Sequence, residues 1–294
     1  MSRTSQSGTT SPDLSREISD LLRLSISSSA FTSANDYAAA LAQFKGRIIA
    51  LDGIPCAGKT YLGRALRDHF KEHGIDAVFL EEKMNKEHLG LFYSYMEKGV
   101  VPNPCSFSLQ LGAMYECLKI YSDALWYTGR QDGGKARVVI IDRPVWGNRV
   151  FEQLQVKKGN ISPEQHKVYE SIVLSSGPYT FDYLIYLYVS PETAHHRIHN
   201  VRKTPEESGM PVEYLRELEE AYYHHLHRHL ELNDRSLVVI GNEDAFCSPE
   251  GVLCIIKNRT KPPRPTRTVE ELSRIPGEIG KVMRHLCKHY TEST

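Results

Sequence analysis

The sequence predicts an α/β protein in three layers, with a five-stranded parallel sheet between helices. Three observations predict it. Short apolar runs alternate with segments of helical period along the body of the chain. The runs, such as Ile48-Ile-Ala-Leu51 and Val138-Val-Ile-Ile141, are continuous rather than alternating, which marks strands covered on both faces. Gly53-Ile-Pro-Cys-Ala-Gly58-Lys59-Thr60 lies between the first run and the first helix, the setting that a phosphate-binding loop needs. Together they define a P-loop NTPase-type fold.

Residues 1–12 are polar, a helix is predicted from Ser11 to about Leu24, and a short one from Asn35 to Phe44. We read 1–44 as an appended extension. The body opens with the strand Ile48 to Leu51. Tyr61 to Phe70 is helical, with Leu62, Ala65, Leu66 and Phe70 on one face. Asp76 to Glu81 is a second strand, and helices follow over 85–98 and 106–127. Val138 to Ile141 is a third strand ending at Asp142, with helices near 145–156 and 163–175. Tyr183 to Val189 is a fourth strand, and Pro191 opens a helix at its first position. A helix over 211–232 and a fifth strand, Leu237 to Ile240, complete a unit placed at 45–247, with a lid near 197–210. Residues 248–294 read as a tail with a Pro-rich connector at Lys261 and a terminal helix from Val269 to His289.

The 294 residues carry 36 basic and 36 acidic side chains, so the formal charge is zero. With 40% apolar and 24% charged residues, the composition is that of a globular protein. That excludes a disordered chain, a coiled coil, and a protein that coats nucleic acid by bulk charge. No apolar run approaches the roughly 18–20 residues of a membrane span. The N-terminus lacks an apolar signal region, and Asp13, Glu17 and Asp20 argue against a transit peptide. Six scattered cysteines without a CxxC pair point to a reducing, cytoplasmic setting.

The loop residues Gly53, Ile54, Pro55, Cys56, Ala57, Gly58, Lys59 and Thr60 match G-x4-G-K-[ST]. Backbone N–H groups curl around phosphate, the following helix adds its positive end, Lys59 reaches the β- and γ-phosphates, and Thr60 holds Mg²⁺. Asp142-Arg143 ends the third strand, where side chains face the binding crevice of an α/β sheet. The carboxylate can serve a metal and the guanidinium a transferring phosphoryl group. Glu81-Glu82 ends the second strand, and one of the two, with Glu81 favoured, can act as general base. Arg197, Arg202 and Lys203 precede Glu206-Glu207-Ser-Gly-Met-Pro211, a helix interruption that reads as a cationic flap. His195/His199 and His225/His229 have i,i+4 spacing but no HExxH pattern, so they are read as a solvated face.

These residues resemble the deoxynucleoside kinases, including the viral thymidine kinases, over roughly 46–246. The most specific part is Pro191-Glu-Thr, His196-Arg-Ile, then Glu206-Glu207-x-Gly-x-Pro211-x-Glu213-Tyr214-Leu215, similar to the family's lid and following helix. Asn242-Glu-Asp-Ala-Phe246 resembles its adenine loop.

The resemblance implies ATP and Mg²⁺ as cofactors, a small deoxynucleoside as substrate, no nucleic-acid or membrane partner, and a homodimer. It implies Glu81 as base on the 5′-hydroxyl, Asp142 for the metal, and Arg143 for the phosphoryl group. Arg197 and Phe246 would flank the adenine, and Arg202 would be a lid arginine. Glu207 and Tyr95 would hold the 3′-hydroxyl. Gln110 would pair with a pyrimidine base, with Phe107 or Trp126 beside it. Asn148 stands where cytidine-preferring relatives place an acid, which favours thymidine.

The sequence departs from the family pattern at four points. Asp142 replaces the usual glutamate, as in the herpesvirus enzymes, and Pro144 follows Arg143. One extra residue lies between Arg197 and Glu206, and Gln110 comes three residues after Phe107 rather than next to it. Two other readings stay open: a thymidylate-type kinase acting on a monophosphate, and a non-catalytic nucleotide switch, although the N-K-x-D motif of guanine switches is missing.

Overall fold

The computed structural model describes residues 37, 41–83, 103–128, 137–177, 179, 181–202, 209–231, 237–241 and 248–259. Five strands form one parallel sheet in the order β2-β3-β1-β4-β5: β1 Ile48–Asp52, β2 Ala77–Leu80, β3 Val138–Asp142, β4 Tyr183–Tyr188 and β5 Leu237–Gly241. The expected sheet is therefore present. Every residue of β1 and β3 is buried, as their unbroken apolar runs require. The helices are α1 Lys59–Glu72, α2 Cys105–Tyr127, α3 Val145–Lys157, α4 Pro163–Ser176, α5 Pro191–His196, α6 Val212–Glu231 and α7 Pro249–Arg259. The helix expected over 85–98 and the terminal helix from Val269 lie outside the described residues.

Register places the chemistry. Leu51 pairs with Asp142 and Asp52 with Tyr186, so β1, β3 and β4 end together at one rim. The Arg143 N–H donates to Leu51 O at 2.9 Å, tying that rim together. Beyond it, α4 begins with a capping box in which Ser162 and Gln165 satisfy each other's backbone N–H groups. This fixes the helix that carries Tyr169 behind α2 and α3.

Both proposed domain boundaries move outward. Leu41 and Phe44 belong to the main core, with Phe44 ringed by Phe70 and Tyr183 at 5.5 and 5.3 Å. Helix α7 buries Val252, Leu253 and Ile256 in the same core. Residues 41–44 and 249–259 are thus integral to the folded unit, because their apolar side chains close the ends of the sheet. No described helix is long and apolar enough to cross a membrane.

Gly63 on α1 faces β2 so closely that a Cβ would sit 2.3 Å from the Phe79 ring. Gly63→Ala should therefore cost about 1–3 kcal/mol by overpacking, despite the better helix propensity of alanine. Urea denaturation measures it. Unchanged stability would mean that Phe79 swings clear.

Candidate active site

The phosphate loop leaves β1 through Gly53, whose φ of 140° disfavours any side chain, and whose Cβ would sit 2.5 Å from Leu187 O. Cys56 (φ 58°) and Gly58 (φ 99°) complete the left-handed turns of the loop. Gly58 then caps α1, so the loop empties onto a helix N-terminus. The Lys59 ammonium, almost fully buried, donates to Gly53 O at 3.0 Å and Ile54 O at 3.1 Å. Burial, then the nearby Arg143 guanidinium, pushes its pKa below the ordinary lysine value, while Asp142, Glu82 and Asp52 pull it back.

Thr60 donates its hydroxyl to Asp142 Oδ2 at 2.8 Å, and Asp142 Oδ1 is buried without a hydrogen-bond partner among the described residues. A carboxylate oxygen left unsatisfied in the interior is costly. Burial raises the Asp142 pKa, opposed by Lys59 and Arg143. An orphaned hard oxygen beside a loop threonine fits the donor set that Mg²⁺ takes.

Arg143 is the hub. Its backbone is left-handed (φ 61°), and its guanidinium lies over the Phe151 ring at 4.6 Å. Its Nε donates to Glu82 Oε2 at 3.1 Å, and its Nη1 to the Tyr222 hydroxyl at 2.8 Å and Gly53 O at 3.5 Å. Burial opposes the charge, but Glu82, Tyr222, Asp52 and Asp142 outweigh it and keep the group firmly protonated.

The two strand-end glutamates part company. Glu82 faces Arg143, whereas both Glu81 oxygens take Arg64 Nη2 at 2.9 Å on the outer side of α1. The geometry thus places Glu82, not the favoured Glu81, in the site. The chain is already past β2, which ends at Leu80, and successive side chains point opposite ways.

Gln110 of α2 is buried and its Oε1 has no hydrogen-bond partner among the described residues. Its backbone oxygen accepts from Asn148 Nδ2 at 3.4 Å, and the same nitrogen donates to the Tyr169 hydroxyl at 3.2 Å. Phe107 packs on the small cluster of Met114, Cys117, Val145, Tyr169 and Val173 near these groups. Trp126 does not join them. It follows Gln110 by 16 residues on α2, about 24 Å along the axis, and is 53% exposed.

Arg197–Arg202 form a π turn, and Arg197 Nη1 donates to Cys56 O at 3.4 Å, tying this turn to the phosphate loop. Arg202 at its end is exposed. Tyr95, Lys203, Glu207 and Phe246 lie outside the described residues. The histidines are not uniformly solvated: the tilted rings of His195 and His199 lie 4.1 Å apart, and His225 lies 6.5 Å from Trp146. Among the described residues the one cluster of metal-ligand types is Glu152, His166 and Glu170. There, His166 Nδ1 contacts Glu152 Oε1 at 2.9 Å, and Arg149 grips both oxygens of Glu170. An imidazole and a guanidinium already occupy these carboxylates.

Asp52 and Tyr222 are site residues that the sequence reading missed. Asp52 meets the criterion that picked out Asp142, a carboxylate at a strand's end. Tyr222 carries no local signal, since it reaches Asp52 across 170 residues.

A model of the deoxynucleoside kinase family matches residues 49–258. A deoxyguanosine kinase of Dictyostelium discoideum is 32% identical over 179 residues, which cover 60% of this chain and 57% of that protein's length. Among solved structures, a deoxyadenosine kinase from M. mycoides with bound dCTP superposes with a TM-score of 0.54 at 21% identity, covering 72% of this chain and 99% of the other. The same enzyme with bound dATP gives 0.52 at 22% identity, covering 70% and 97%.

Proposed function

The chain belongs to the deoxynucleoside kinase family, and from that premise we propose that it transfers the γ-phosphoryl group of ATP to the 5′-hydroxyl of a deoxynucleoside. The observation that carries this is the convergence of Lys59, Asp142, Arg143 and Glu82 at the ends of β1, β2 and β3. Loop amides and Lys59 hold the donor phosphates, and Lys59 exchanges its two carbonyl partners for phosphate oxygens. Thr60 and Asp142 would hold Mg²⁺, which neutralises charge on the phosphates. Glu82 takes the proton from the acceptor hydroxyl while Arg143 stabilises charge on the transferring group. Arg197 closes over the loop, with Arg202 following on the lid.

Gln110 is the base-reading group in this proposal. Its unpartnered oxygen needs a donor, and a carboxamide presents one donor face and one acceptor to a base edge. Neutral Asn148 behind it supports thymidine. A purine deoxynucleoside is the second reading, favoured by the likeness to the Dictyostelium deoxyguanosine kinase. Acceptance of a monophosphate has less support, because Arg64 is engaged with Glu81 away from the Arg143 side.

Measuring ADP release with the four deoxynucleosides and thymidine monophosphate tests the assignment. Thymidine should be turned over and the monophosphate not. Gln110→Leu should raise the nucleoside KM by about 10- to 100-fold, with little change in the KM for ATP. Turnover of the monophosphate alone, or of no nucleoside, would reject the reading.

A further inference from the structure

Asp52 and Tyr222 form a buried pair beside the proposed chemistry, and the scheme above gives neither a role. Asp52 Oδ1 accepts the Gly53 N–H at 2.8 Å and the Tyr222 hydroxyl at 2.7 Å. The Tyr222 oxygen in turn accepts from Arg143 Nη1 at 2.8 Å. Arg143 Nη1 also lies 3.6 Å from Asp52 Oδ1, a looser ionic contact. The ring of Tyr222 is fully buried against Tyr186 and Phe151, the latter also the ring beneath the guanidinium. Gly147 leaves room for the carboxylate, since a Cβ there would fall 2.4 Å from Asp52 Oδ2.

A guanidinium has five N–H donors in a rigid plane, so fixing one edge fixes the direction of the other. Here one edge is fixed by Tyr222 and Gly53 O, and Nε then faces Glu82. Asp52 also bonds the first N–H of the phosphate loop, so one carboxylate sets both the loop's departure and, through Tyr222, the arginine's orientation. We propose that Asp52 and Tyr222 are positioning residues that act through Arg143, coupling the phosphate loop to the Arg143–Glu82 pair. This rests on the kinase reading. Neither side chain need touch the reacting atoms, and both lie beyond the local sequence motifs.

Tyr222→Phe keeps the ring and deletes the hydroxyl. It should lower kcat by about 10- to 100-fold while leaving the KM for ATP within about twofold, because the arginine is misaligned rather than removed. The decisive readout is a double-mutant cycle with Arg143→Ala. If Tyr222 works through Arg143, adding Tyr222→Phe to Arg143→Ala should cost no further kcat. A purely structural role would lower kcat again in that background, and would overturn the inference. So would a near-normal kcat for Tyr222→Phe alone, or an effect confined to KM. If Tyr222→Phe fails to fold, Asp52→Asn takes its place in the cycle, since it keeps an acceptor for Gly53 N–H while removing the charge. A protein without substitutions that turns over no nucleoside would instead mark failure of the kinase reading, and the positioning role would fall with it.

Discussion

Lys59→Met should lower kcat about 10³-fold while the protein remains folded and melts near its normal temperature. The size of the loss follows from the location. Lys59 is the buried cation at the head of α1, and its ammonium is held by Gly53 O and Ile54 O, ready to swing to phosphate. In a site this dry, a full charge aimed at the transferring group is worth far more than in water. The small effect on stability follows from opposing costs. Removing the ammonium strips two loop carbonyls of a donor, but it also ends the repulsion from Arg143 and the penalty of burying a charge, both of which already weigh on Lys59. Steady-state kinetics with a thermal melt on the same sample check both halves. A kcat within about tenfold of normal would remove Lys59 from the transfer step.

How much of this site a sequence shows depends on how local its parts are. Gly53 to Thr60 and Asp142-Arg143 are contiguous and lie at strand ends, so strand prediction alone placed them at one rim. The sheet was equally legible, because its central strands are buried on both faces and read as unbroken apolar runs. The Asp52–Tyr222 bond joins distant segments, and only the packing of α6 over β4 makes it. Leu41, Phe44 and α7 read as appended ends in the sequence because a weak local pattern cannot report burial supplied by distant partners. Trp126 was excludable without coordinates, since its spacing from Gln110 on one helix already forbade a shared ligand. The extra residue between Arg197 and Glu206 is a more instructive case. A π turn is the form in which a helix takes up one surplus residue, and it begins at Arg197.

Between the two adjacent glutamates the expected outcomes diverge by orders of magnitude. Glu82→Gln should lower kcat about 10²- to 10⁴-fold, the range for loss of a positioned general base. Glu81→Gln should leave kcat within about threefold and stability within about 1 kcal/mol. The shape of the two residues is the same, so the contrast comes from their partners. Glu82 contacts Arg143 Nε, on the edge of the guanidinium opposite Tyr222, where an acceptor hydroxyl would meet both the base and the cation. Glu81 instead pairs with Arg64, whose side chain is 56% exposed, so that bond is screened by water and contributes little. Glutamine keeps the size of the side chain and can still accept from Arg143, but it cannot take a proton. A large loss in Glu82→Gln with intact ATP binding therefore isolates proton removal from positioning. The reverse ranking, with Glu81→Gln inactive and Glu82→Gln near normal, would require the end of β2 to turn by one residue in the working enzyme. That turn would exchange the carboxylate that faces Arg143 and break the Arg64–Glu81 pair on the outer side of α1.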